Sequence, residues 1–202
     1  MRTFARIAAL GLLLSACSTT HIETAWKDPA ATPADFDFKK ILVMVRANDG
    51  AVRRAGEDEL VRFLEASKRG QAGQLTAEAS YRLLDASDLA YPEKARALVE
   101  AQGFDGLVLM SFVSSEQKVT VQPPHYAGTV WGYYGARPVV YDPGYARTDT
   151  ILRVETTIYH IPDGKLLWTG ISRTLNPHDV TDLVADVAKS VGDALRQQGL
   201  IP

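Results

Sequence analysis

Residues 39–46 read Lys-Lys-Ile-Leu-Val-Met-Val-Arg, and the five from Ile41 to Val45 are apolar without interruption. A strand with one wet face alternates apolar and polar side chains, whereas an unbroken aliphatic run this short belongs to a strand covered on both faces. The chain must therefore supply cover above and below it. Asn48, Asp49 and Gly50 make a turn suited to capping a helix that runs to about Lys68, with Leu60, Val61, Phe63 and Leu64 as its buried stripe. After a predicted strand from Glu78 to Leu84, Pro92 at a first helical turn, Ala95, Leu98 and Val99 at helical spacing and Gly103 past the end define a second helix. Phe104 to Val113 is a further apolar strand. Strands alternating with helices in this way predict parallel neighbours joined by right-handed crossovers.

The pattern changes in the last third. Thr150 to Ile161 and Lys165 to Leu175 are two adjacent predicted strands joined through Pro162-Asp163-Gly164, a sequence suited to a bulged hairpin turn. Such a turn sets Ile158 opposite Trp168 and places Leu152, Val154, Ile158, Leu166 and Trp168 on one face. Asn176-Pro177 then starts a final helix, in which Val180, Leu183, Val184, Val187, Val191 and Leu195 follow a period of 3.6 and Gly199 marks the end. The expected fold is α/β: one mixed sheet of about five strands, βαβαβ followed by a long loop, an antiparallel hairpin and a C-terminal helix, with helical cover. No internal repeat is visible.

The N-terminus determines where such a domain goes. Arg2 and Arg6 precede the apolar run Ile7–Leu14, too short to span a bilayer, and small residues lead to Cys17, the sole cysteine. Leu14-Ser15-Ala16-Cys17 resembles the lipobox of bacterial lipoproteins. That resemblance implies a signal peptide over residues 1–16, a lipidated Cys17 bearing three acyl chains (palmitate among them), and, with Ser18 rather than Asp following, delivery to the outer membrane facing the periplasm. Residues 17–37, punctuated by Pro29 and Pro33, read as a tether, although Trp26-Lys27-Asp28-Pro29 within them reads as a strand ending in a turn that brings Trp26 to the domain. Residues 38–202 form the single domain. Removing residues 1–16 takes away two arginines, leaving 20 basic residues against 24 acidic ones, a net charge of about −4. A mildly acidic chain without a long basic run has no electrostatic footprint for nucleic acid. With its cysteine acylated it has none for a disulfide or a thiolate metal site.

Familiar catalytic patterns are missing. No Gly-x-Ser-x-Gly, no Ser-x-x-Lys and no phosphate loop occurs; Gly103-Phe104-Asp105-Gly106 precedes a strand where a phosphate cradle would follow one. His21, His125, His160 and His178 show no metal-binding helical spacing, and each has an ordinary structural role: His21 in the tether, His160 on a strand near a turn, His178 in a helical first turn. No metal and no cofactor is expected. Arg53 and Arg54 near a helix N-terminus oppose the dipole there. Glu57 and Asp58, four residues on, are their expected partners, and a polar-ligand site on the two arginines is the alternative.

Residues 117–147 are the most informative stretch for function. They interrupt a regular domain with a predicted loop carrying Tyr126, Trp131, Tyr133, Tyr134, Tyr141 and Tyr145 among glycines and prolines. Loops this long are functional or disordered, and Tyr and Trp offer rigid amphipathic contact area of the kind found at interaction hot spots. A lid extending the core, an interaction surface and an enzymatic pocket are all compatible with that composition.

Together, Trp26-Lys27-Asp28-Pro29, Lys39 to Val45, Arg53-Arg54 with Glu57-Asp58, Ala79-Ser80-Tyr81, Gly103-Phe104-Asp105-Gly106, the hairpin and the final helix resemble a family of uncharacterised proteobacterial outer-membrane lipoproteins, for which no catalytic residues are established. The element order is also similar to the α/β domains of lipoproteins that activate penicillin-binding proteins and of curli-export lipoproteins, a likeness of fold only. From the latter the sequence departs in lacking a clear pair of long alternating strands. The tether and the aromatic loop point to a membrane-anchored binding or assembly module with an envelope protein, peptidoglycan or another glycan as partner; an envelope enzyme of an unrecognised type is the alternative.

Overall fold

The computed structural model describes residues 20–67, 75–123, 125–127, 140–142 and 144–202. Its strands are β1 (Thr20–Lys27), β2 (Lys40–Arg46), β3 (Thr76–Ala79), β4 (Gly106–Gln122), β5 (His125–Ala127), β6 (Val140–Asp142), β7 (Tyr145–His160) and β8 (Lys165–Leu175). Its helices are α1 (Gly50–Ser67), α2 (Ala86–Leu89), α3 (Pro92–Ala101) and α4 (Val180–Gln197). Six strands make one mixed sheet in the order β1-β8-β7-β4-β2-β3, and β5 and β6 pair separately. The β2 strand is parallel to both β3 and β4, while β4, β7, β8 and β1 are successively antiparallel. The α/β class is as expected.

The sixth strand is a correction. Residues 20–25, expected to be tether, join Trp26 and Lys27, expected to be strand, in the edge strand β1, which pairs with β8 from Thr20–Thr174 to Lys27–Trp168. Trp26 belongs to this strand but remains about half exposed. Polar β-branched residues that suit a tether equally suit an edge strand with one wet face, so composition alone does not separate the two.

The unbroken run of β2 is explained by two cores. Ile41, Val43 and Val45 face α1 and α4 in the larger core, whereas Leu42 packs with Leu84, Val99 and Phe104 on the side covered by α3. Asp49 Oδ1 accepts from the backbone N–H groups of Ala51 and Val52, at 2.7 and 3.0 Å, so α1 starts where the turn residues indicate. The β3 strand is shorter and earlier than the predicted Glu78–Leu84. It stops because Ser80 Oγ and the Tyr81 N–H turn to the Glu57 carboxylate instead of continuing the ladder, and a 3-10 turn over Ser80–Arg82 follows.

Ile158 does stand opposite Trp168, and Trp168 is fully buried. The bulge next to that pair moves Leu166 opposite Tyr159, and hence to the other face from Trp168, against the expectation of a single apolar face. Gly164, with φ of 67°, supplies the left-handed residue that closes the turn. Gly170 has a second kind of necessity: the Trp168 indole lies against its Cα, where any side chain would collide with the ring. The other face of β1, β8 and β7 is wet and carries an ion-pair ladder in which Arg153 Nε lies 2.9 Å from Glu23, with Glu116 and Arg173 nearby.

Candidate functional site: a two-stranded arm

The strand β4 has β2 as a neighbour only as far as Arg46–Ser111, and β7 has β8 only from Ile151–Leu175 inward. Beyond those points the two strands have each other alone, in unbroken register from Gln117–Thr150 to Gln122–Tyr145. The segment expected to be a loop from residue 117 to 147 is therefore a loop only beyond Gln122 and before Tyr145. Its flanks are a two-stranded arm projecting from the sheet, formed by β4 and β7, which at 17 and 16 residues are the longest of the described strands. A bulge at Val113 marks the root of the arm, a device that bends and twists a strand away from its sheet.

The arm is solvated on both sides. Val119, Val121 and Tyr145 are 60, 68 and 61 % exposed, and Phe112 and Val113 at the root are about half exposed. Period-2 geometry sets Val119, Val121, Ala146 and Thr148 on one side and Lys118, Thr120, Arg147 and Asp149 on the other. The root is clamped by Asn176, whose backbone N–H donates to the Thr150 carbonyl at 2.8 Å, whose Oδ1 accepts from the Thr150 N–H at 2.7 Å, and whose Nδ2 donates to Asp149 at 2.8 Å. The hydrogen bond from Asn176, with a further one from Arg147 at 2.7 Å, holds the Asp149 carboxyl below its usual range. Asn176 sits at φ 49°, a left-handed position that Asn tolerates well. It was expected to begin the last helix; that helix is instead capped by Asp179, which accepts from the Asp182 N–H at 2.9 Å.

Of the six aromatic candidates, Tyr145 is the last residue of the arm, paired with Gln122. Tyr126 and Tyr141 are backbone partners in the β5–β6 pair that follows the arm. Trp131, Tyr133 and Tyr134 lie outside the described residues, as does Cys17.

One row of the sheet relates the arm to the N-terminus. Thr20 pairs with Thr174, Thr174 with Leu152 and Leu152 with Ser115, so the chain joins the sheet at the end from which the arm leaves. The junction is held by the Thr20–Thr174 hydroxyl contact at 2.8 Å and by Ser190 Oγ, which donates to the Thr20 carbonyl at 3.2 Å.

Both arginine candidates have partners within the fold. Arg53 meets Glu57 as expected, but that carboxylate is fully buried and also accepts from Ser80 and from the Val45 and Tyr81 N–H groups. Arg54 does not meet Asp58; it lies over the Tyr81 ring at 5.8 Å, and Asp58 pairs with Arg82 at 2.9 Å. Arg153 and Glu155 belong to the wet face of the sheet, and His160 binds Asp163 at the hairpin turn. Among the described residues the group within reach of a single ion is His178, Asp179 and Asp182; all three are exposed, and Asp179 is committed to its cap. His178 lies just before α4, not in its first turn, and His21 is on β1. No described helix is long and apolar enough to cross a membrane.

No protein-family model and no curated protein matches the sequence. Among solved structures the chain is similar to a PelC dodecamer from Paraburkholderia phytofirmans, with 14% identity and a TM-score of 0.45 over 86% of this chain and 95% of that one. It is also similar to the lipoprotein GNA1162 from Neisseria meningitidis, with 12% identity and a TM-score of 0.39 over 79% and 99%. Function has to be read from this chain's own residues.

Proposed function

We propose that the chain is a lipid-anchored binding or assembly module of the bacterial cell envelope, held at the outer membrane through Cys17 and facing the periplasm. Its working surface is the β4–β7 arm with the aromatic segment it carries, Tyr126, Trp131, Tyr133, Tyr134, Tyr141 and Tyr145, and its partner is an envelope protein or a glycan. The observation that carries this reading is that the arm covers no part of the core. Two strands extended into water with, beyond the Asn176 clamp, both outer edges unpaired among the described residues contribute little to folding and offer backbone and side-chain groups to a partner. The position of Thr20 supports it further. Thr20 lies three positions after Cys17, a span of at most about 11 Å, so an anchor at Cys17 brings the arm's end of the sheet to the membrane side.

Crosslinking in living cells followed by capture of the full chain tests the proposal. Replacing Trp131, Tyr133 and Tyr134 by Ala is expected to abolish recovery of the partner or of peptidoglycan while the fold survives; unchanged recovery overturns it. The anchor is tested separately. Cys17→Ala is expected to leave unprocessed precursor or an unlipidated chain, and continued association with the outer membrane after a salt wash would rule lipid out as the anchor.

A further inference from the structure

Among the described residues the larger core is not filled to its end. Between the sheet and the C-terminal halves of α1 and α4 lies a cavity of about 620 Å³, within the range of small-molecule pockets, where interiors ordinarily leave voids no larger than a water. Register gives it a direction. Phe38, just before β2, lines one end; Val108 and Ile158, level with Val43, line the middle; Met110 and Thr156, level with Val45, line the other end. From Phe38 to Val45 the strand rises roughly 20 Å, so the volume corresponds to a mean cross-section of roughly 30 Å², room for one extended hydrocarbon chain.

The two ends differ in chemistry. At the Phe38 end the lining includes Asp37, which pairs with Lys39, Ser67 at the end of α1, and Arg196 near the end of α4. The Arg196 guanidinium is half exposed; it donates to Asp193 at 2.8 Å and to the Pro202 carbonyl at 3.2 Å, and retains further donors among its five N–H groups. At the far end Thr156 is 1 % exposed, and its hydroxyl has no hydrogen-bond partner among the described residues. A hydroxyl buried in an apolar wall is costly unless something in the cavity pairs with it.

We propose that this cavity binds a long-chain hydroxylated fatty acid, with its carboxylate at Arg196, its chain along Val108 and Ile158, and its hydroxyl at Thr156. Arg is suited to a carboxylate because its planar fork makes paired, charge-assisted bonds. The site is separate from the β4–β7 arm and does not rest on the reading of that arm.

The test uses the full chain, purified from envelopes into amphipol, with parinaric acid as the fluorescent probe and protein-free amphipol as the blank. Saturable one-to-one binding is expected, with the probe displaced by 16-hydroxyhexadecanoate about fivefold more readily than by hexadecanoate, the effect of one neutral hydrogen bond. Thr156→Val is expected to erase that preference. Arg196→Glu, on the surface, is expected to weaken both ligands at least tenfold. Gly192→Leu is expected to block the cavity: Gly192 lines it, and the nearest heavy atom to an added Cβ is Arg196 Nη1 at 3.5 Å. Binding indistinguishable from the blank, or indifferent to both Gly192→Leu and Arg196→Glu, overturns the site. Equal displacement by the two acids overturns the role given to Thr156.

Discussion

Arg53 and Glu57 meet across one turn of α1, Nε to Oε1 at 2.9 Å, with the carboxylate entirely out of reach of solvent. The same carboxylate holds the Val45 N–H of β2 and, beyond β3, the Ser80 hydroxyl and the Tyr81 N–H. One side chain therefore fixes the helix to the strands on which it packs.

Glu57→Ala is expected to destabilise the fold by about 3–5 kcal/mol, because it strands a mostly buried guanidinium and two backbone donors at once. Chemical denaturation of the purified chain measures it. A loss under 1 kcal/mol would mean that water replaces the carboxylate.

Trp168→Ala is expected to cost about 3–5 kcal/mol, since the side chain is fully buried opposite Ile158. Trp168→Phe should cost less, in part because it removes an indole N–H that has no acceptor among the described residues. Gly170→Ala should behave like a core mutation despite adding a single methyl, because the indole occupies the space.

Gly192→Ala is expected to stabilise by roughly 0.5–1 kcal/mol, the helix-propensity difference, because an added Cβ meets nothing closer than 3.5 Å. A rise in the thermal midpoint is the readout, and a fall would show that the surroundings of α4 are tighter than described.

Acid stability should follow the helix caps. The Asp49 carboxyl is held below its ordinary 3.8 by the Val52 and Ala51 N–H groups, Asp85 by the Ser87 hydroxyl and the Asp88 N–H, and Asp179 by the Asp182 N–H. Each group is more acidic folded than unfolded, so its contribution is fully present above the ordinary value and is lost as pH falls through the depressed one. The urea midpoint is expected to be flat from pH 8 to 5 and to drop below pH 4. Asp49→Asn, which retains a capping oxygen but does not titrate, should make the drop shallower.

Replacing residues 120–147 by a short Gly-Ser linker is expected to leave a cooperative transition within about 1 kcal/mol of the parent, because among the described residues the excised strands pair only with each other and loop length changes closure entropy slowly. Asn176→Ala should in contrast speed amide exchange at the arm's root, through loss of the clamp on Thr150 and Asp149. Unfolding of the truncated chain would show that the arm supports the core.

The central strand, the first and last long helices and the Ile158–Trp168 register were legible because each rests on local periodicity or turn chemistry. What was missed depends on distant partners. Glu57 looked like half of a surface pair with Arg53 until β2 and the turn after β3 closed over it. The arm was hidden by its own composition: Lys118, Val119, Thr120 and Val121 alternate as a strand does, but without a buried face the alternation carries little signal. The cavity could not be foreseen, since its walls come from α1, α4 and three strands, and Thr156 reads in sequence as an ordinary strand residue.

The edge strand β1 has a mechanical consequence if Cys17 is the anchor. Pulling the domain away from the membrane would load the chain at Thr20, roughly along the axis of β1. The pairs from Thr20–Thr174 to Lys27–Trp168 would then be strained together in shear, instead of opening one at a time as they would in peeling. An edge strand is ordinarily the first part of a sheet to fray; attached in this direction, β1 becomes the joint through which the whole domain bears tension.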